Sequence, residues 1–348
     1  MSLSRRDRRD WRILLWINLA SGIVSAFFGL MSAPMGASPW VSALFGIVTS
    51  TIIATPIVLF ETRSARQGAL RRLRRLPLML FFAIKVLFYF AVIVGGLLLV
   101  RLLFMPFMPN SFTLGSTFEA SLAFSVAMSV IGNLAFEMGG LLGFGTLKNL
   151  LTGRYVQPKR EQRAFLLIDM KDSTGLAERL GPILFHELLN EFFRDVADAA
   201  LQCEAEIHKY VGDEAILTWP GERAVVDGDC LACPFVARDR IAANGEQYHG
   251  RFGVLPEFRA ALHCGEIVAG EIGDVRREIA YVGDTLNVAA RLLDAAKTLG
   301  HDVLVSADLL ERASLPAGIK AEPLPTLTVR GRAAPLGIAA LQRVRAGS

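Results

Sequence analysis

Charged residues and histidine are both scarce in this chain. Only 20% of its 348 residues are Asp, Glu, Lys or Arg, against about 25% in ordinary soluble domains, and 52% are hydrophobic. So apolar a composition excludes an intrinsically disordered chain. The chain has 4 cysteines, too few for a disulfide-dense secreted module. The 5 histidines all lie at position 186 or later.

Acidic residues are rare in the first half of the chain. Residues 1–160 contain 5 acidic and 17 basic residues, whereas residues 161–348 contain 28 and 20. The net charge of +4 therefore combines a basic, apolar first half with an acidic second half. Since the basic pI belongs to the apolar half, it does not indicate a nucleic-acid partner, and none is expected.

Four apolar stretches in the first half, at about 13–31, 40–60, 78–104 and 117–142, are long enough to cross a bilayer, which takes about 20 residues. A cleaved signal peptide has a shorter apolar core and would not be followed by three more spans. The joints at 32–39 and 106–115 carry no charge, whereas the N-terminus, the second joint and the segment after the fourth stretch are rich in Arg and Lys. Because basic loops stay inside, we expect a multi-pass protein of the cell (inner) membrane with both termini in the cytoplasm.

A few polar residues interrupt these spans. Lys85 and Arg101 lie toward opposite ends of the third, where we expect their side chains to snorkel to the membrane surfaces. Asn133 and Glu137 lie one helical turn apart in the fourth, which fits either a helix–helix hydrogen bond or a ligand- or ion-sensing site. Histidine-ligated haem is not expected in these spans, and a transporter or channel is disfavoured because no polar pathway is evident.

The pattern changes near residue 161. Short strands alternate with amphipathic helices in two split βαβ units, which predicts a ferredoxin-like α+β palm preceded by an all-α four-helix transmembrane domain. The predicted domains are a membrane domain over 1–145, a linker over 146–160 and a cytoplasmic domain over 161–345. The basic linker contains Gly153 and Pro158, so a single rigid helix is not expected there. We expect it to pass changes in span packing to the cytoplasmic domain.

Two carboxylates stand out in the second half. Asp169 ends a buried strand just before a helix, and Asp213 lies in the turn of a predicted hairpin. If these strands are neighbours, both carboxylates meet at one edge of the sheet, where they suit Mg²⁺ bound together with substrate phosphates. The backbone amides of Lys171 to Gly175, including those of Ser173 and Thr174 near the helix cap, are placed to bind phosphate.

Five segments of the second half resemble, in order, the motifs of the class III nucleotidyl cyclases: FLLIDMKDST, HKYVGDEAILTW, FRAALHCGEIVAGEIG, YVGDTLNVAARL and TLTVRGR. The resemblance covers nearly all of residues 161–345. It implies a palm of the class III type, a head-to-tail homodimer with interfacial active sites, and two Mg²⁺ or Mn²⁺ ions per site. The implied reaction converts ATP to 3′,5′-cyclic AMP and pyrophosphate.

The resemblance also implies roles for single residues. Asp169 and Asp213 match the metal-binding pair, to which Met170 adds a backbone carbonyl. Lys209 matches the residue that reads adenine, whereas guanylate cyclases usually carry an acid there. The remaining matches are Asn287 for orienting the ribose, Arg291 for stabilising the transferring phosphoryl group, and Arg330 for the terminal phosphates, with Arg332 as its alternate.

One position departs from the family. Where members commonly place Asp or Thr to accept a hydrogen bond from adenine, this chain has Ala280, and Tyr281 or a backbone carbonyl would have to substitute. A guanylate cyclase and a catalytically dead nucleotide-binding receptor module therefore remain alternatives. A diguanylate cyclase shares a loop like VGDEA, but Lys209 and the downstream YVGDTLNVAARL disfavour it.

The cysteines and His208 allow two further readings. Cys230 and Cys233 form a CxxC which, with Cys203 and Cys264, could bind a metal through four thiolates, although buried reduced cysteines are the commoner case. His208 precedes Lys209 on a predicted strand. Alternation along the strand points the two side chains to opposite faces, which favours a structural role for His208.

Overall fold

The computed structural model describes residues 5–31, 38–64, 76–104, 116–226, 228–275, 277–328 and 335–344. The chain forms two compact units. We call Met1–Leu142 the helical unit and Gly143–Ser348 the sheet unit.

The helical unit contains four long helices in its described residues: α1 (Arg5–Met31), α2 (Pro39–Ser64), α3 (Leu78–Phe104) and α4 (Ser116–Leu142). Each includes a segment of at least 21 residues that is long enough and apolar enough on average to cross a membrane. Helices α1 and α2 pack closely through glycine. A Cβ on Gly29 would collide with the Ser42 backbone, and a Cβ on Gly46 with the Ser25 backbone. Small residues at such positions let two helix backbones approach each other.

Two basic residues of the spans are buried inside the helical unit. Lys85 on α3 is 1% exposed, and its Nζ lies 2.7 Å from Oε1 of both Glu61 on α2 and Glu137 on α4. The expectation that Lys85 snorkels is therefore wrong, because carboxylates on two neighbouring helices supply its partners. Arg101 is also buried, with its guanidinium 4.6 Å from the centre of the Phe118 ring. The Glu137 contact matches the helix–helix alternative for that residue.

The sheet unit begins with α5 (Phe144–Leu151) and continues as β1 (Lys159–Met170), α6 (Ser173–Gln202), β2 (Glu206–Val211), β3 (Glu214–Pro220), α7 (Gly221–Val226), α8 (Asp229–Ala243), α9 (Gly245–Phe252), β4 (Phe258–Ile272), β5 (Glu278–Val282), α10 (Asp284–Leu299), β6 (Val303–Ser306), α11 (Ala307–Leu310), β7 (Ile319–Leu327) and β8 (Leu336–Arg343). The described strands form one sheet in the order β2-β3-β1-β4-β6-β8-β7, and β5 pairs with β4. β1 runs antiparallel to both β3 and β4.

Alternation along β1 divides the core between the two faces of the sheet. Leu166 and Ile168 face a core built with α6 and α8, whereas Phe165 and Leu167 face a core built with α10. The α+β fold with four preceding apolar helices, as predicted, is confirmed. The alternation also decides where Asp169 points, because it is the next odd-numbered residue after Leu167.

The segment predicted as a linker is partly built into the sheet unit. It contains most of α5, and Tyr155 beyond that helix is fully buried. The Tyr155 hydroxyl donates to Glu161 Oε1 at 3.0 Å and accepts from Arg163 Nη2 at 3.2 Å. The backbone N–H of Glu271 also donates to the Tyr155 carbonyl oxygen at 2.9 Å. The entry to β1 is therefore held by both side-chain and backbone contacts.

Candidate active site

Asp169 lies at the end of β1, on the face covered by α10. Asp169 is 9% exposed. In the sheet register it lies opposite Glu214 of β3 and opposite Arg259 of β4. Asp213 follows Gly212 in the turn between β2 and β3, where Gly212 has a φ of 62°. Since β3 pairs with both β1 and β2, the two aspartates come together at one end of the sheet.

This end of the sheet is strongly acidic. The pKa of Asp169 is raised chiefly by burial and further by Asp213, with which it is within hydrogen-bond reach. Glu214 lies directly opposite Asp169 in the β1–β3 register, and burial together with the charges of Asp169 and Asp213 raises its pKa to about 7. The three carboxyl groups thus repel one another, which is the condition that a bound cation relieves.

Lys297, in the last turn of α10, supplies a cation to this cluster. Its Nζ lies 3.0 Å from Asp169 Oδ2, and this contact raises the pKa of the Lys297 ammonium while opposing the rise at Asp169. Lys297 belongs to none of the motifs in the sequence. Its spacing from Asn287 and Arg291 on one helix carried no signal, because the pairing depends on the fold that brings β1 under α10.

The donor set at this end of the sheet fits a hard divalent cation. Two carboxylates at adjacent strand ends, together with a backbone carbonyl such as that of Met170, are oxygen ligands of the kind that Mg²⁺ and Mn²⁺ prefer. The described residues contain no cluster of three or more His, Cys, Asp or Glu side chains arranged to hold a metal ion by themselves. A cation here would therefore be completed by main-chain oxygens and by oxygens of a substrate.

Asn287 and Arg291 both lie on α10. Both are on the exposed side of α10, while the other side of the helix is buried against the sheet through Val288 and Leu292. Within the described residues, neither side chain makes a hydrogen bond or an ion pair. One chain therefore brings together the acidic pair but leaves the predicted ribose and phosphate ligands facing outward.

Lys209 and Ala280 occupy strands β2 and β5. Lys209 is exposed, and Ala280 is paired with Gly270 of β4. Tyr281, considered as a substitute for the missing purine acceptor, is instead packed into the protein. Its ring lies 5.7 Å from that of Phe165, with the guanidinium of Arg163 4.7 Å from its centre.

His208 interrupts the β2–β3 ladder. The register changes between Ile207 and Lys209, so His208 is the extra residue of a β-bulge and strict alternation does not hold there. Its ring lies 4.7 Å from that of Tyr281, and burial followed by the Lys209 charge lowers the pKa of His208 to about 4. A neutral, stacked imidazole has the packing role expected for it.

The predicted phosphate cradle at the start of α6 is only partly available. The backbone N–H of Lys171 donates to the Glu257 carbonyl at 2.8 Å, and the Lys171 ammonium pairs with Glu257 at 2.9 Å and Asp302 at 2.7 Å. The expectation for Lys171 is therefore wrong, because Glu257 and Asp302, the residues just before β4 and β6, supply its partners. Ser173 and Thr174 form the first turn of α6, where helix N–H groups have no partner within the helix.

Two remaining expectations concern the C-terminal arginines and the cysteines. Arg330 and Arg332 lie outside the described residues. All four cysteines are buried and free in the core that faces α6 and α8. Burial raises the pKa of Cys230 to about 12, and a contact with Cys203 raises that of Cys233. With no such metal cluster among the described residues, the four-thiolate alternative is not supported.

Comparison with known proteins finds that this chain is similar to adenylate cyclases. The chain is 42% identical over 217 residues to Adenylate cyclase 2 of Rhizobium meliloti, covering 62% of this chain and 60% of that protein. Adenylate cyclase 1 of the same organism is 29% identical over 185 residues, which cover 51% of this chain and 27% of that protein. The second half of this chain is similar to the class III nucleotidyl cyclases. The family resemblance predicted from the motifs is confirmed.

The fold of the cyclase domain also has a solved counterpart. A bacterial light-regulated adenylyl cyclase superposes with a TM-score of 0.51 at 16% identity, covering 63% of each chain. No protein-family profile matches the chain. The chain spans about 60% of Adenylate cyclase 2 and about a quarter of Adenylate cyclase 1, so those proteins contain further sequence outside the match.

Proposed function

We propose that the chain is a membrane-anchored adenylate cyclase that converts ATP to 3′,5′-cyclic AMP and pyrophosphate. The observation that carries this proposal is the convergence of Asp169 and Asp213 at one end of the cyclase sheet, next to the exposed Lys209 strand. The similarity to Adenylate cyclase 2 supports the same activity.

The proposed reaction assigns a task to each residue type. Asp169 and Asp213, with the Met170 carbonyl, hold two Mg²⁺ or Mn²⁺ ions, which acidify the ribose 3′-hydroxyl and stabilise charge on the phosphate oxygens. Asn287 fixes the ribose so that its 3′-oxygen lies in line with the α-phosphorus. Arg291 places a fixed positive charge where negative charge develops in the transition state. Arg330, with Arg332 as its alternate, would bind the terminal phosphates.

A homodimer completes this site. Because Asn287 and Arg291 are exposed on α10 and make no hydrogen bond or ion pair with the acidic pair among the described residues, a second copy can present them to that pair. A two-fold dimer would then contain two equivalent sites, each combining the carboxylates of one chain with α10 of the other.

Adenine is the proposed base because Lys209 can donate to a purine nitrogen and no acid takes its place. Two observations favour the guanylate cyclase alternative. Ala280 has no side-chain acceptor for the adenine amino group, and Tyr281, which could have replaced it, is packed against Phe165. The four apolar helices support a multi-pass location in a membrane, with the bilayer as a partner. The basic N-terminus and the basic segment after the fourth helix favour cytoplasmic termini.

Turnover by the purified full-length protein tests the proposal. ATP and GTP are supplied separately with Mn²⁺ or Mg²⁺, and products are identified by mass. We expect cyclic AMP from ATP, and a loss of at least about 100-fold in Asp213→Ala, because charge stabilisation by the metals is removed. Asp274→Ala, which removes an exposed carboxylate from the β4–β5 loop, is the matched control.

Each other outcome points to one alternative. Cyclic GMP in equal yield would show that Lys209 does not select adenine. No cyclic product from a folded, dimeric protein would favour the receptor module. Co-expression of Asp213→Ala with Arg291→Ala tests the shared site, because random pairing restores one intact site in half of the dimers, or about a quarter of native activity. No recovery would contradict the proposed dimer.

A further inference from the structure

The contact between Lys297 and Asp169 has no role in the reaction proposed above. Asp169 is held almost out of solvent, with its side chain 12% exposed, whereas the Lys297 side chain is 49% exposed. The two groups therefore differ in freedom. The carboxylate is fixed at the end of a buried strand, and the ammonium reaches it from a helix surface on a flexible four-carbon stem.

The fold delivers Lys297 to this place. The last turns of α10 are anchored by Leu293 and Ala296, which are buried in the core against the sheet. Alternation along β1 turns Asp169 toward the same helix. The contact thus follows from the packing of α10 on β1, the element pair that also builds the core containing Phe165 and Leu167.

Helix electrostatics alone does not account for the position of this ammonium. A lysine in the last turn of a helix is favoured near the free carbonyl groups of that helix end. Lys297 instead places its Nζ 3.0 Å from Oδ2 of Asp169, across to a different element. Its charged surroundings include Asp213 and Asp294 as well as Asp169, so it is the cation of an acidic cluster.

We propose that Lys297 is a displaceable ammonium that takes the position of a divalent cation on Asp169 until that cation binds. The inference rests on the proposed function, because it takes Asp169 as a metal ligand. An ammonium 3.0 Å from Asp169 Oδ2 and a divalent cation bound to the same carboxylate would repel each other at short range. Binding of the metal therefore favours the departure of Lys297, and its half-exposed stem gives it a path into solvent.

As a consequence, Lys297 lowers the affinity of this site for a divalent cation. While Lys297 is in place, it neutralises part of the repulsion among Asp169, Asp213 and Glu214 and so stabilises the metal-free site. A divalent cation must replace that stabilisation and also approach a nearby positive charge. Removing the ammonium should tighten metal binding, whereas a lysine that merely orients Asp169 would weaken metal binding when removed.

Binding of Mn²⁺ alone to the full-length protein, followed by electron paramagnetic resonance without nucleotide, tests this inference. We expect Lys297→Met to bind Mn²⁺ about three- to tenfold more tightly than the native chain, since a solvent-screened ion pair has this order of effect. Lys297→Arg should bind no more tightly than the native chain. Lys320→Met, on the edge strand β7, is the matched control. Circular dichroism verifies that each variant is folded, and Lys297→Gln repeats the test if the methionine variant is not.

Asp169→Ala separates failure of this inference from failure of the proposed function. If Asp169→Ala loses Mn²⁺ and Lys297→Met binds it with unchanged or lower affinity, the displacement inference is overturned while the metal site stands. If Asp169→Ala binds Mn²⁺ as well as the native chain, the metal site itself is overturned. The half-saturating Mn²⁺ concentration for activity should fall in Lys297→Met by the same factor as the dissociation constant.

Discussion

Lys85 in the helical unit and Arg163 in the sheet unit are each 1% exposed, and each contacts two glutamates. In both clusters one of the glutamates also accepts a hydrogen bond from a tyrosine hydroxyl, Tyr89 in the first and Tyr155 in the second. The clusters differ in the number of elements that they connect. Lys85 connects three separate helices. Arg163 of β1 contacts Glu161 of the same strand and Glu206 of β2, so it connects two strands.

The surroundings of the two cations also differ. Glu61 beside Lys85 is 6% exposed and Glu137 is 47% exposed, while the Arg163 partners Glu161 and Glu206 are 18% and 38% exposed, so the most buried glutamate of the two clusters is Glu61. Arg163 gains a further contact with the face of Tyr281. Loss of the cation should therefore cost more in the helical unit, because an apolar helix bundle offers a stranded carboxylate less water than the edge of a sheet does.

Lys85→Met is expected to have the largest effect on stability. It leaves Glu61 buried without its cation, and breaking one partner of a buried ion pair costs about 3–5 kcal/mol. The free energy of unfolding of the helical unit should fall accordingly when the full chain is titrated with denaturing detergent in micelles. The double variant Lys85→Met with Glu61→Gln should recover part of this loss. A single variant as stable as the native chain would show that the cluster contributes nothing to helix packing.

Arg163→Met is expected to have a smaller effect. Water can reach Glu206 once the guanidinium is gone, so the expected loss is about 1–3 kcal/mol, below that of a fully buried pair. Urea unfolding is followed by the fluorescence of the buried Trp219, in a background that replaces the other tryptophans by Phe: Trp11, Trp16 and Trp40. A loss equal to that of Lys85→Met would contradict the proposed difference between the two clusters.

The positions of Asp169 and Asp213 could be predicted from the sequence. A buried strand ending in Asp before a helix, and an Asp in a hairpin turn, fix both residues by local pattern alone. The four apolar helices could also be predicted from the sequence, since the length and composition of a span are local properties. Both predictions depended on neighbouring residues in the chain and on no long-range contact.

The partners of the charged residues could not be predicted in this way. Periodicity shows the face on which Lys85 or Lys297 lies, but not which carboxylate on another element that long side chain will reach. Snorkelling was therefore expected for Lys85, and Lys297 was not noticed. The bulge at His208 has the same origin, because an extra residue in one strand is defined only against the register of its partner strand.

Asp195 is a third buried carboxyl group, and its hydrogen-bond donors in the described residues are neutral side chains and not a cation. We expect a substitution at Asp195 to change stability less than substitution of Lys85 or Arg163. Asp195 on α6 is 5% exposed and accepts hydrogen bonds from Tyr248 Oη and Asn244 Nδ2, each at 2.7 Å. These neutral donors do not offset burial, so the pKa of Asp195 is raised. A raised pKa in the folded state means that the contribution of this carboxyl to stability is complete below its unfolded pKa, about 4, and is lost as the pH rises through the folded pKa.

Asp195→Asn should remove this pH dependence. The free energy of unfolding of the variant, relative to the native chain, should increase from about pH 4 to about pH 8, because only the native chain pays to ionise the buried carboxyl. At any one pH the difference should stay near 1 kcal/mol or less, since the amide keeps one acceptor for the two donors. Urea unfolding across this pH range, read by Trp219 fluorescence, measures it. A difference independent of pH would mean that Asp195 ionises as readily in the folded chain as in the unfolded one, and that neutral donors replace a cation at no cost.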